Sequence, residues 1–129
     1  MQRLALLILL VIACGCSDRV HVTGYVKFPD GSPLSIGEVR FVSEKMVFSG
    51  TLDKNGFYKI GSGDGANGIV PGKYEVSVER ASVDGELKPG QEYVESVSLI
   101  AAKYTNYATS GLSCEVKGTT KFNITVEKP

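Results

Sequence analysis

From residue 20 onward the sequence alternates with period two, in short stretches broken by turn residues, and this pattern constrains the fold more than any other feature. Val20, Val22, Gly24, Val26 and Phe28 share one parity, with His21, Thr23, Tyr25 and Lys27 on the other. Val39 and Phe41 alternate with Glu38, Arg40 and Val42, and Tyr74, Val76 and Val78 with Lys73, Glu75, Ser77 and Glu79. Leu112, Cys114 and Val116 oppose Ser113, Glu115 and Lys117, while Phe122, Ile124 and Val126 oppose Lys121, Asn123, Thr125 and Glu127. Successive side chains of an extended chain point to opposite faces, so each stretch predicts a strand that is apolar inward and polar outward. No window of ten or more residues after Cys16 has helical periodicity.

Turn chemistry punctuates the pattern. Asp30-Gly31-Ser32-Pro33 separates the first two strands and Gly118-Thr119 links the last two. Asp53-Lys54-Asn55-Gly56 reads as a tight hairpin turn between residues 46–52 and 57–60, with Gly56 at positive φ. Seven or eight short strands imply an all-β, seven- to eight-stranded antiparallel β-sandwich, immunoglobulin-like or transthyretin-like in layout. A chain of 129 residues allows one such domain. A domain of this size hides roughly two thirds of its unfolded surface, enough to fold without disulfides.

The first residues carry a different signal. After Met1-Gln2-Arg3 come ten residues, Leu4 to Ala13, without a polar side chain. As a helix they would span roughly 15 Å, about half of a bilayer core, which suits a secretory leader and not a membrane span. Val11-Ile12-Ala13-Cys14 resembles the lipobox of bacterial lipoproteins, in which the cysteine thiol receives a diacylglyceryl group, the leader is cut before it, and the new amine takes an acyl chain such as palmitate. Cys16, preceded by Ala13-Cys14-Gly15, is the alternative acceptor; Val11 three positions before Cys14 fits the box better. The expectation is therefore a leader at residues 1–13, a lipidated cysteine and tether at 14–19, and a β-sandwich domain at 20–129. Neither cysteine is followed by Asp, which by resemblance to known sorting points to the outer membrane where a cell has two. A plain secretory leader with incidental cysteines is the simpler alternative.

Several further segments resemble the carboxypeptidase regulatory-like, transthyretin-like (prealbumin-like) domains of short bacterial lipoproteins. They are Thr23-Gly24-Tyr25-Val26, Asp30-Gly31-Ser32-Pro33-Leu34 and Gly37-Glu38-Val39-Arg40-Phe41 at the start. Thr51-Leu52-Asp53-Lys54-Asn55-Gly56-Phe57-Tyr58 is similar to the family's T-D-x-x-G-x-F hairpin, with Leu52 inserted and Tyr58 in the Phe place. Pro71-Gly72-Lys73-Tyr74-Glu75-Val76 resembles its P-G-x-Y-x-V strand, whose Tyr packs at a corner. Lys103-Tyr104 and Thr109-Ser110-Gly111-Leu112 resemble a K-Y…T-S-G-L stretch, with Ala101-Ala102 where Pro is common. The resemblance covers nearly all of residues 20–127. It implies an extracytoplasmic sandwich without known catalysis, and names no ligand.

Composition narrows the function. Fourteen basic and fourteen acidic residues cancel, and removing residues 1–13 takes away Arg3, leaving thirteen against fourteen and a net charge of −1. With no run of like charge, nucleic acid is not an expected partner. The single histidine, His21, falls on the polar side of the first strand and has no nucleophile or orienting acid in a recognisable motif. Transthyretin-like hydrolases rely on several His and Arg residues and a C-terminal Tyr-Arg-Gly-Ser, whereas this chain ends Thr125-Val126-Glu127-Lys128-Pro129. The stretch Gly61-Ser62-Gly63-Asp64-Gly65-Ala66-Asn67-Gly68 lacks the Gly-Lys-Ser/Thr ending and following helix of a phosphate loop. Asp53, Asn55 and Asp64 lack the twelve-residue calcium-loop pattern. Cys114 should point into the core as a small hydrophobe, not into a disulfide with Cys16. Asn123-Ile124-Thr125 fits a glycosylation sequon, which carries little weight in a bacterial lipoprotein.

No cofactor or metal is expected. The candidate contact residues are Tyr93, Tyr104 and Tyr107, aromatic rings with polar tips. The leading expectation is a non-catalytic structural or interaction module, held to a membrane by a lipid anchor and binding an envelope protein or polysaccharide through loops at one end of the sandwich. A carbohydrate-binding module using the three tyrosines is the alternative, and a hydrolase a more distant one.

Overall fold

A computed structural model describes residues 19–61 and 67–129. The expected leader, Cys14, Cys16 and the centre of the glycine-rich stretch, including Asp64, lie outside the described residues. The described chain forms ten strands: β1 (Val22–Lys27), β2 (Glu38–Val42), β3 (Val47–Thr51), β4 (Phe57–Ile60), β5 (Gly72–Glu79), β6 (Ser82–Asp84), β7 (Ser96–Ser98), β8 (Leu112–Val116), β9 (Thr120–Lys121) and β10 (Ile124–Thr125). One 3-10 turn spans Ala102–Thr105. Eight strands build two packed sheets, and β6 and β7 form a separate two-stranded ribbon. The molecule is an all-β sandwich.

Sheet I places β1 between β4 on one side and β9 and β10 on the other. Sheet II has the order β3-β2-β5-β8 and is antiparallel throughout. Alternation selects the inward residues as the sequence predicts: Val22, Val26, Tyr58, Ile60 and Ile124 from sheet I meet Val39, Phe41, Val76, Val78 and Val116 from sheet II, all essentially inaccessible. Phe122 reaches across from sheet I to Phe41, ring centres 6.0 Å apart and edge to face. Leu34, Leu52, Ile69, Ile100 and Tyr104 from the connections complete the core. Cys114 is a buried free thiol in this core.

Three local features depart from a simple antiparallel hairpin chain. First, β9 and β10 run parallel to β1. The turn after β8 carries the chain from sheet II to sheet I, so the next strand pairs with β1 in the same direction. Second, the turn at Asp53 to Gly56 forms as expected, with Gly56 at φ 78° and the Asp53 carboxylate accepting from Asn55 N at 2.8 Å and Phe57 N at 3.0 Å. Yet β3 pairs with β2 and β4 with β1, so this turn arches between the sheets instead of closing a hairpin within one. Third, Ser77 is 2% exposed although alternation places it on the outer side of β5; the connection 105–107 lines a hollow together with it and covers it.

The register also defines two ends. β1 begins at Val22, which pairs with Thr120. Thr120 follows the β8–β9 turn from Val116, and Val116 pairs with Gly72 at the start of β5. The chain therefore enters the sandwich at the end where β5 starts. β5 finishes at Glu79, opposite Glu38, at the far end, and there the chain runs on into the β6–β7 ribbon.

Candidate functional site

The ribbon is built from residues 82–98. Ser82 pairs with Ser98, Val83 with Val97 and Asp84 with Ser96, and Gly85 N donates to Glu95 O at 2.8 Å. Arg80, the one described non-glycine residue with positive φ (57°), turns the chain out of β5 towards it. Gly90 at φ 87° helps reverse the chain at its tip, where Lys88 N is held by the Gln91 side chain at 3.1 Å. The ribbon joins neither main sheet, and all of residues 86–98 are exposed. Val83, Leu87, Tyr93, Val94 and Val97 are five of the ten large apolar side chains left exposed among the described residues. Between them stand Asp84, Glu86, Glu92 and Glu95 against one cation, Lys88. This is an acidic, apolar projection at the end away from Val20.

A second feature lies on the outer face of sheet II. Tyr107, 47% exposed, overhangs Val42 and separates two shallow hollows of about 380 and 270 Å³. Lys73, Glu75 and Ser113 line the first; Arg40, Ser77 and Glu79 line the second. Arg40 is already engaged, its Nε 2.9 Å from Glu79 and 3.4 Å from Glu38.

The three tyrosines do not form one platform. Tyr93 sits on the ribbon, 74% exposed, while Tyr107 stands over sheet II. Tyr104 is corrected from a contact residue to a core residue: the 3-10 turn rotates it inward and leaves it 5% exposed. Its neighbours are structural too. The Thr109 hydroxyl donates to Lys103 O at 2.8 Å, and the Ser110 hydroxyl donates to Val76 O at 2.5 Å and accepts from Leu112 N at 3.1 Å. Lys103 Nζ lies 3.4 Å from Glu127, a partner that raises the lysine's pKa above its ordinary value. The K-Y…T-S-G-L residues thus pin a connection against both sheets.

His21 is exposed on the outer side of sheet I, on the opposite face of the sandwich from Tyr107 and its serines. Among the described residues no three His, Cys, Asp or Glu side chains are grouped to hold a metal ion. Asp53 is committed to its turn, as is Asp30, whose carboxylate accepts from the Ser32 hydroxyl at 2.6 Å and is thereby held below its usual pKa. Sequence reasoning missed the ribbon. Its signal was present in the Val83-Asp84-Gly85-Glu86-Leu87 and Glu92-Tyr93-Val94-Glu95 stretches, which mix apolar and acidic residues, but short range patterning does not say that a strand pair will be left outside the core.

No protein-family model matches the chain, and no curated protein matches it. Among solved structures it is similar to the crystal structure, at 1.80 Å resolution, of a DUF3823 family protein from Parabacteroides merdae. The two are 18% identical with a TM-score of 0.46, over 86% of this chain and 48% of that one. The chain therefore spans about half the length of that neighbour. No helix among the described residues is long and apolar enough to cross a membrane.

Proposed function

We propose that the protein is a lipid-anchored envelope module whose β-sandwich, of the transthyretin-like kind the sequence resembles, holds the β6–β7 ribbon away from the membrane to engage a partner. The anchor is a diacylglyceryl thioether at Cys14, with Cys16 as the alternative acceptor, in the outer membrane where two membranes exist. The role is non-catalytic. The observation that carries the reading is the concentration of exposed apolar side chains on the ribbon, five within residues 83–97. Contiguous apolar surface left in water on a monomer marks an interaction site, because covering it removes that area from solvent. Four carboxylates among those side chains favour a partner with basic groups beside its apolar ones.

Two measurements test this. Mass spectrometry of the mature N-terminus is expected to find an acylated residue 14 or 16; an unmodified, soluble chain with its leader intact would remove the anchor. For the ribbon, a photo-crosslinking residue at position 93 is expected to capture a defined envelope component in cells, and the same residue at position 115, exposed on sheet II, is expected to capture none. Equal labelling from both positions, or none from position 93, would dismiss the ribbon as the contact.

A further inference from the structure

Charge is divided between the two sheets. The strands of sheet I carry three charged side chains, Lys27, Lys59 and Lys121, and no carboxylate. The strands of sheet II carry Glu38, Glu75, Glu79 and Glu115 against Arg40 and Lys73. Among the described residues, none of the three sheet I lysines is paired with a carboxylate.

All three lysines point to the outer face, because the alternate residues Val26, Tyr58, Ile60 and Phe122 face the core. Lys59 and Lys121 both lie opposite Thr23, one on each side of it. At the usual strand spacing they stand roughly 10 Å apart, and Lys27 lies roughly 13 Å further along β1. Between them Tyr25 and Phe57 meet edge to face, ring centres 5.3 Å apart, and the Lys27 ammonium sits 5.3 Å from the Tyr25 ring. Tyr25 is among the exposed large hydrophobics. Aromatic rings set among lysines suit the headgroup region of a bilayer, where the rings lie among the acyl-chain boundary groups and the ammonium groups reach lipid phosphates.

The position of the tether selects the occupant. β1 is the central strand of this sheet, and residues 14–19 lead directly into it. Four to six residues extend at most about 20 Å, so a lipid at Cys14 or Cys16 holds this sheet within reach of the bilayer. The acidic ribbon leaves from the other end.

We infer that the outer face of sheet I docks on an anionic phospholipid surface through Lys27, Lys59 and Lys121 around the Tyr25–Phe57 pair. This docking rests on the anchor reading for its geometry. It fixes the orientation of the domain, with sheet I on the lipid and sheet II turned outward.

Amine footprinting of the full lipidated protein tests it. The protein is placed in vesicles of phosphatidylcholine alone, or of phosphatidylcholine mixed with phosphatidylglycerol, and acetylated briefly. In the anionic vesicles Lys27, Lys59 and Lys121 are expected to react about fivefold more slowly than in neutral ones, the factor that corresponds to about 1 kcal/mol per lysine near such a surface. Lys88 on the ribbon serves as the unchanged internal reference. The protection is expected to vanish in about 1 M salt, where screening acts within roughly 3 Å. Protein that binds both vesicles with the three lysines equally reactive overturns the docking while leaving the anchor intact. A chain without acyl groups defeats the anchor reading separately, and the face is then still judged by whether anionic vesicles slow its lysines. Protection by a soluble acidic polysaccharide, with none from vesicles, would also overturn the docking and assign the face to a polymer.

Discussion

Tyr58 has no exposed surface, and its hydroxyl donates to the Phe122 carbonyl. Burial raises its pKa far above the ordinary phenol range, with Cys114 adding to the shift. Ser110, also buried, bonds Val76 O and Leu112 N. Each hydroxyl satisfies backbone groups that water cannot reach, so Tyr58→Phe and Ser110→Ala are each expected to cost about 1–3 kcal/mol in urea unfolding. A loss below the error of the measurement would show that those carbonyls find other donors. Cys114 adds a pH dependence. Burial raises its native pKa, so its contribution to stability is complete below the ordinary thiol pKa and is lost as pH rises through the raised value. Tyr58 and Tyr74 act in the same direction at higher pH. Melting temperature is therefore expected to hold to about pH 8 and fall above about pH 9, with Cys114→Ala flattening the first part of the fall. The alternation in the sequence already put Cys114 and Tyr74 inside; the partners of Ser110 and Tyr58, 34 and 64 residues away, were not legible.

At the scale of the strand, the C-terminal edge of sheet I depends on one missing side chain. A Cβ at Gly24 would stand 1.9 Å from the Phe122 carbonyl oxygen and 2.9 Å from the Tyr58 hydroxyl. Phe122 N meanwhile donates to Thr23 O at 2.8 Å, and the Asn123 side chain accepts from Tyr25 N at 3.0 Å, replacing a backbone acceptor where the edge breaks between β9 and β10. Gly24→Ala must push backbone aside, and is expected to lose about 3 kcal/mol or more. Gly118→Ala, where nothing lies within 4 Å, is expected to change stability by less than about 0.5 kcal/mol. Equal effects from the two would show that sheet I relaxes around Gly24. The sequence placed Gly24 on the inward side of the first strand, yet gave no reason for glycine there. The reason is a neighbour almost a hundred residues away.

For the whole molecule, the ribbon and the core should be separable. Replacing residues 86–94 with Asn-Gly would join Gly85 to Glu95, already hydrogen-bonded partners, through a turn suited to a two-residue hairpin. Because this segment contributes nothing to the buried core, the melting temperature is expected to stay within about 4 °C of the parent. A larger fall would make the ribbon part of the folding unit. The lysine face has the same independence, since its three ammonium groups stand outside the packed interior.

Period-two alternation and turn residues determined the class of fold, the inward residues of most strands, and the tight turn at Asp53 to Gly56, because each depends on a neighbour only one to four positions away. Tertiary structure alone decided which strands share a sheet, that the Asp53 to Gly56 turn arches between them, why Gly24 and Ser110 are needed, that Tyr104 is buried, and that sheet I collects three lysines. Those outcomes depend on groups brought together from distant parts of the chain, and the spacing along the sequence does not record which segments meet.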